Sequence, residues 1–252
     1  MMPEPNLPNW KANALRFTGF PIPTANIVQT NWWNDLIGQP PETELFQPKI
    51  GLKHTEGMCE SGKLILELTA QRIDWILTGE DQNSIMPSQN LGDFTTIIKD
   101  FSKLINQWLQ FPTIPNFIRI AFGGVLTLPV KDKVEGYYEI GKFLPDIRLD
   151  PLGSTDFMYQ INRPRRTNTG KGNIEINRLS KWGVMSGIGR FITLTPGIPQ
   201  IQNGIEEFSC RLELDINTPG ILPEAIKPDQ AIDFFQEFID LGIEISQRGD
   251  VP

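Results

Sequence analysis

Histidine and cysteine are nearly missing from this chain of 252 residues: His54, Cys59 and Cys210 are the only ones. Two cysteines do not make a disulfide framework, so reduced thiols and a cytoplasmic setting are expected. One histidine leaves a transition-metal site short of ligands, because such sites draw several His or Cys at set spacing. His54 with Glu56, Cys59 and Glu60 matches that pattern poorly. A Ser-His-Asp system would have to use His54, and the sequence has no Gly-x-Ser-x-Gly elbow. Nothing beside Cys59 in sequence lowers its pKa toward a nucleophilic thiolate. A phosphate loop is also lacking. Gly170-Lys171 would need a glycine at 165, which is Arg, and Ser or Thr at 172, which is Gly. No bound cofactor is therefore expected. No apolar run approaches the ~20 residues of a membrane helix, and the first residues have neither a basic start nor an apolar core, so no secretory leader is expected.

The residues that are present describe a globular chain, with 39% hydrophobic and 21% charged. The length allows one large domain or two fused small ones. The net charge of −7 disfavours a wide nucleic-acid footprint and leaves room for a local one. The 21 prolines and 22 glycines are spread along the chain, as turn punctuation rather than a linker.

One pattern runs twice. A strand-like run at 13–20 leads to a short helix over Thr30–Gly38. Strands follow at 46–54, 63–68 and 72–77. Then comes a helix whose apolar residues, Phe94, Ile97, Ile98, Phe101, Leu104, Ile105, Trp108 and Leu109, keep a 3.6-residue period. The second pass has a strand at 117–128, a short helix at 131–143, and strands at 155–161, 172–178, 182–194 and 206–216. A final helix starts at Pro228 and ends at Gly249. Residues 206–216 alternate strictly, which gives a strand with one wet and one dry face. The expected fold class is α+β: two pseudo-repeated β-α-β-β-β(-β)-α halves, 13–112 and 113–252, behind a loose segment 1–12. Each half would have its own antiparallel sheet packed by a long amphipathic helix. Sequence identity between the halves is close to nil, so the repeat rests on element order. A single irregular α+β domain is the alternative.

The closing helices lie farther apart than the opening strands, which puts extra residues in the second half. These include a basic loop at 162–172. From Arg163 to Arg190 there are seven bases (Arg163, Arg165, Arg166, Lys171, Arg178, Lys181 and Arg190) against one acid, Glu175. Arginines offer paired donors to phosphate or carboxylate, so Arg163, Arg165, Arg166, Lys171 and Arg178 form a candidate anion or nucleic-acid site. The competing reading is a solvated hairpin tip, or a clip to acids elsewhere in the chain. Trp32-Trp33 is a candidate partner surface, set against inward packing of the kind that Tyr137-Tyr138 would mirror in the second half. Asp74, Glu80-Asp81, Asp146, Asp150 and Asp215 could serve acid/base or metal chemistry. Turns and strand ends attract Asp in any case, and Asp74 is expected to face solvent.

Arg72-Ile-Asp-Trp-Ile76, Tyr159-Gln-Ile-Asn-Arg-Pro164 and Asp215-Ile-Asn-Thr218 carry a resemblance. The chain resembles a sporadically distributed prokaryotic family of uncharacterised α+β proteins of about this length. The resemblance supplies no catalytic residues. The family's patchy occurrence implies mobile or defence-related gene neighbourhoods. The function expected on these grounds is a non-enzymatic interaction module with a protein partner or a second copy, as a subunit of a complex. The alternatives are a binder of nucleic acid or a phosphorylated ligand through the basic loop, and a metal-dependent hydrolase using carboxylates.

Overall fold

The strands run β1 (Lys11–Pro21), β2 (Thr43–Gln47), β3 (Leu52–Cys59), β4 (Gly62–Thr69), β5 (Arg72–Thr78), β6 (Gly92–Asp93), β7 (Phe117–Val130), β8 (Met158–Asn162), β9 (Arg165–Arg166), β10 (Glu175–Thr195) and β11 (Ile198–Asn217). The helices are α1 (Trp32–Ile37), α2 (Phe94–Leu109), α3 (Lys133–Phe143) and α4 (Pro228–Arg248). This computed structural model describes residues 8–23, 25, 27–79, 90–169, 174–195, 198–220, 222 and 224–250, with backbone only over 188–195 and 198–205.

Both long helices form where the 3.6-residue stripes stand. Pro228 opens α4 with its φ already set. Asp132 caps α3 by accepting from the Glu135 N–H at 2.8 Å, while the Glu135 carboxylate accepts from the Lys131 N–H at 2.6 Å. Several strand boundaries differ from expectation, and β11 begins eight residues earlier than the alternating run 206–216. The run 46–54 is broken by a turn at Pro48–Gly51, with Gly51 at φ +61°, so it is divided between β2 and β3. The runs 172–178 and 182–194 are parts of one strand, β10. Arg178 and Ser180 occupy inward positions there, and their polarity hides the alternation.

The expectation of a separate sheet for each half is corrected. The strands form one antiparallel sheet in the order β2-β3-β4-β5-β1-β7-β11-β10-β8, with β6 added to β1 and β9 to β10. Its centre is the pairing of β1 with β7, in register from Phe17↔Phe122 through Arg16↔Gly123. The helices are not confined to their own halves either. Phe235 of α4 touches Phe17 of β1, Phe101 of α2 and Phe122 of β7, with ring centroids 5.2, 6.2 and 6.1 Å apart. A single core therefore crosses the seam.

The loose N-terminal segment is also corrected for residues 8–12. Trp10 is buried against Phe143 and Trp182, and its indole N–H donates to the Ser246 carbonyl at 2.8 Å. Lys11 and Ala12 already belong to β1.

All four helices meet the same face of the sheet. Trp33 of α1 stacks on Trp75 of β5, and Trp108 of α2 packs on Phe17 and Trp75. Cys210 of β11 reaches the Gly136 carbonyl of α3, and Gly242 of α4 lies over Phe122, Leu214 and Ile216. Side chains alternate along strands, so Arg16, Thr18, Asp74, Gly123, Glu213 and Asp215 point to the opposite face. No described helix covers that face.

Candidate functional site

Over its described residues, 162–169, the basic loop lies along α4 and is held by acids distant in sequence. Arg163 makes a two-pronged pair with Asp250, Nε to Oδ1 at 2.6 Å and Nη2 to Oδ2 at 2.9 Å. Arg165 pairs with Glu244 at 2.7 Å. Thr167 Oγ1 and the Asn168 N–H both donate to the buried Glu237 carboxylate, at 2.6 and 2.8 Å. The anion-site reading is corrected for Arg163 and Arg165, whose charge is already met within the chain. Arg166 is exposed on the two-residue strand β9. Lys171 and the Gly170–Gly172 turn lie outside the described residues.

Asp250 reaches this position because the chain turns sharply at Gly249, with φ +81° and ψ −151°. A Cβ there would meet the Phe143 carbonyl oxygen at 2.0 Å, so only glycine fits. Tyr159 Oη also donates to Asp250, at 2.8 Å. The Arg163 guanidinium holds the Asp250 carboxyl below its ordinary range, with help from Tyr159 and against the pull of burial.

Arg178 is buried, with 2% of its surface exposed. Its nearest acid oxygen, on Glu244, is 3.7 Å away, and its Nε and Nη1 have no acceptor. Burial pulls its pKa down, with Arg165 nearby adding to the effect. It is a charge held at a loss rather than one displayed to a ligand, which corrects its place in the anion site. Removing one partner of a buried pair is costly when it strands the other charge, but Glu244 keeps Arg165 and Arg248, so an apolar side chain in place of Arg178 strands none. Arg178→Met is accordingly expected to raise the urea midpoint, by about 1 kcal/mol of stability. A clear drop in the midpoint would show the guanidinium to be properly satisfied.

Trp32 and Trp33 are 1% and 4% exposed, which corrects their reading as a partner surface. Trp32 packs edge-on against Trp108 and its indole N–H donates to Thr113 at 2.8 Å. His54 lies between Glu67 and Glu56, at 3.0 and 3.2 Å. Among the described residues no three His, Cys, Asp or Glu side chains cluster in a metal-binding arrangement. Burial pushes the Cys59 thiol up and the Cys210 thiol up to about 12. Neither is poised as a nucleophile at neutral pH. Asp150 accepts from the Leu152 N–H within its own turn, and Glu80-Asp81 lie outside the described residues.

The open face holds what the sequence reading missed. Register lays its side chains in rows across β5, β1, β7, β11, β10 and β8. One row reads Ile76, Arg16, Gly123, Asp215, Leu179, Asn162. The next reads Thr78, Ala14, Val125, Glu213, Lys181, Gln160. Small residues in the middle, Ala14 and Gly123, leave a groove of about 400 Å³ bordered by Arg16, Gln160, Lys181, Glu213 and Asp215. Lys181 and Arg211 both face Glu213, at 3.5 and 2.8 Å.

Toward one end of the same face, Asp74 lies between β1 and β4. The expectation that it faces solvent is corrected: it is 4% exposed, covered by its own partners. Thr18 Oγ1 donates to it at 2.6 Å, and Arg72 pairs with both its oxygens at 2.6 and 3.0 Å. Phe20 carries the guanidiniums of Arg72 and Arg119 against its ring, 5.9 and 5.4 Å from the centroid. Alternation could have flagged these residues, since Arg16, Arg72, Asp74 and Arg119 all occupy outward positions between apolar inward ones. What the sequence does not contain is the strand order that gathers them.

No family model matches the chain, and no curated protein is significantly similar to it.

Proposed function

We propose that the chain is a non-enzymatic binding module whose ligand lies across the open face of the sheet, in the groove over Ala14 and Gly123. The observation that carries this reading is the placement of all four helices on one face. It leaves a polar-rimmed groove of about 400 Å³ on the other. That volume lies within the ~300–1,000 Å³ range of ligand pockets, and the glycine at its floor admits close approach to the backbone. The candidate general acids and bases are engaged structurally: Asp74 with Arg72, Glu213 with Arg211 and Asp250 with Arg163. That favours binding over turnover.

The reading includes an internal duplication. Starting at the seam, the strand order β1-β5-β4-β3 on one side is matched by β7-β11-β10-β8 on the other, and each half closes on a long helix. The groove then spans the junction of the two units. A cytoplasmic subunit of a defence-related prokaryotic complex, with a protein partner or a second copy, is the setting the resemblance implies.

The test is a thermal-shift panel of nucleotides, single-stranded oligonucleotides, phosphopeptides and basic peptides, run on the full chain and on Gly123→Trp. A Cβ at 123 would meet only Arg16, at ordinary contact distance, so an indole there would start from the floor of the groove and project into it. At least one panel class is expected to raise the Tm by several degrees near 100 Kd. Gly123→Trp is expected to keep its fold and lose that shift. A ligand that binds the variant unchanged places the site elsewhere, and chemical turnover of a panel member overturns the non-enzymatic reading.

A further inference from the structure

We infer that the open face carries a phosphoryl-binding subsite built by Arg16, Arg119 and Arg72 around Phe20; this rests on the open-face reading above. The three arginines come from adjacent strands, β1, β7 and β5; Arg16 and Arg72 share a single carboxylate, Asp74, and Arg119 lies with Arg72 against the Phe20 ring. Asp74 is committed to Arg72, with both oxygens within 3.0 Å of that guanidinium. Arg16 Nε stands 3.9 Å from the same carboxylate, beyond hydrogen-bond reach, and its side chain is 43% exposed. Arg119 has no carboxylate partner among the described residues, and its Nε is buried without an acceptor. The other acids near this patch are held by neighbours: Glu67 by His54 and Asp215 by Asn217.

Arg16 and Arg119 thus remain beyond the one guanidinium that Asp74 pairs. Two guanidiniums side by side suit the several oxygens of a phosphomonoester better than a single carboxylate. Phe20 does more than fill space. A guanidinium lying against a ring keeps its N–H edge for a planar or tetrahedral oxyanion, and Phe20 fixes two of them at once. Arg16 belongs both to this patch and to the groove, so a phosphoryl group seated here has its uncharged body over Gly123.

The experiment titrates the full chain with inorganic phosphate, pyrophosphate, a nucleoside monophosphate and a 5′-phosphorylated single-stranded oligonucleotide, by calorimetry and thermal shift at two salt concentrations. Phosphate-bearing probes are expected to bind, with Arg119→Ala and Arg16→Ala each weakening them about tenfold or more, as the loss of a charge-assisted pair implies. Arg166→Ala, in the loop on α4, is expected to change nothing. Arg16→Ala serves as the safe variant, because that side chain is largely solvated. Arg119→Ala is checked for retained fold by circular dichroism. Comparable affinity for the monophosphate and the oligonucleotide identifies a small phosphomonoester. Much tighter oligonucleotide binding with a steep salt dependence identifies a nucleic-acid backbone. No binding of any phosphate probe at about 10 mM, ten times a millimolar Kd, overturns the subsite. So does binding unchanged in the Arg16→Ala, Arg119→Ala double variant. If a panel ligand is blocked by Gly123→Trp and indifferent to both arginines, the subsite fails while the groove reading stands. If Gly123→Trp blocks nothing that binds, the groove reading fails.

Discussion

Trp108→Ala is expected to lower the stability of the fold by about 4 kcal/mol, the upper part of the range for a large buried aromatic. Trp108 is fully buried and touches four other rings: Phe17 of β1, Trp32 of α1, Trp75 of β5 and Phe117 of β7. Three of these contacts are edge-to-face, which adds to plain area burial. Truncation would leave a cavity bounded by rigid rings, with few flexible side chains to collapse into it. Domains are held by only about 5–15 kcal/mol in total, so a large share of the margin would go. Urea unfolding followed by circular dichroism measures it. Trp108→Phe provides the contrast. The indole N–H of Trp108 has no acceptor, so the phenyl ring loses volume without losing a hydrogen bond, and the loss is expected to be about half as large. A Trp108→Ala loss under about 2 kcal/mol would mean that this ring is not the hub its contacts suggest.

Asp250→Asn is expected to cost about 2–3 kcal/mol at pH 7, and the cost is expected to disappear in acid. Asp250 is 8% exposed and accepts from both prongs of Arg163 and from Tyr159. Breaking a fully buried pair on one side loses about 3–5 kcal/mol. Arg163 keeps 32% of its side-chain surface in solvent, which reduces that loss. The folded carboxyl has a pKa below its ordinary 3.8. Its contribution is therefore fully present above that value and is lost as pH falls through the folded one. The gap in urea midpoint between the wild type and Asp250→Asn should be constant well above the ordinary carboxyl pKa and shrink steadily as pH falls below it. A gap that does not shrink in acid would mean that the amide disturbs packing rather than charge.

Much of the fold was legible because burial imposes a period. The stripes of α2 and α4 and the alternation over 206–216 need no partner to be recognised. β10 was misread as two strands because Arg178 and Ser180 take inward positions against the pattern. Trp32 and Trp33 were ambiguous for a different reason: neighbouring residues on a six-residue helix point about 100° apart, and only the layer of Trp75 and Trp108 beneath shows that both turn inward. The site was less legible. A run of arginines at 163–166 is conspicuous in a sequence, yet the counter-ions of Arg163 and Arg165, Asp250 and Glu244, come some eighty residues later, at the end of α4 and just past it. Arg16, Arg72 and Arg119 are inconspicuous for the converse reason. No two of them share a strand, and only the pairing of β5, β1 and β7 makes a cluster of them.

Phe235, near the middle of the last helix, is the residue that covers Phe17 and Phe101. During synthesis the first hundred residues therefore leave the ribosome with part of their aromatic layer still uncovered. The ring that completes it arrives only with α4, after every strand from β7 to β11 has been made. Vectorial folding of the N-terminal portion thus passes through a waiting state, greasy on one side, until that helix emerges.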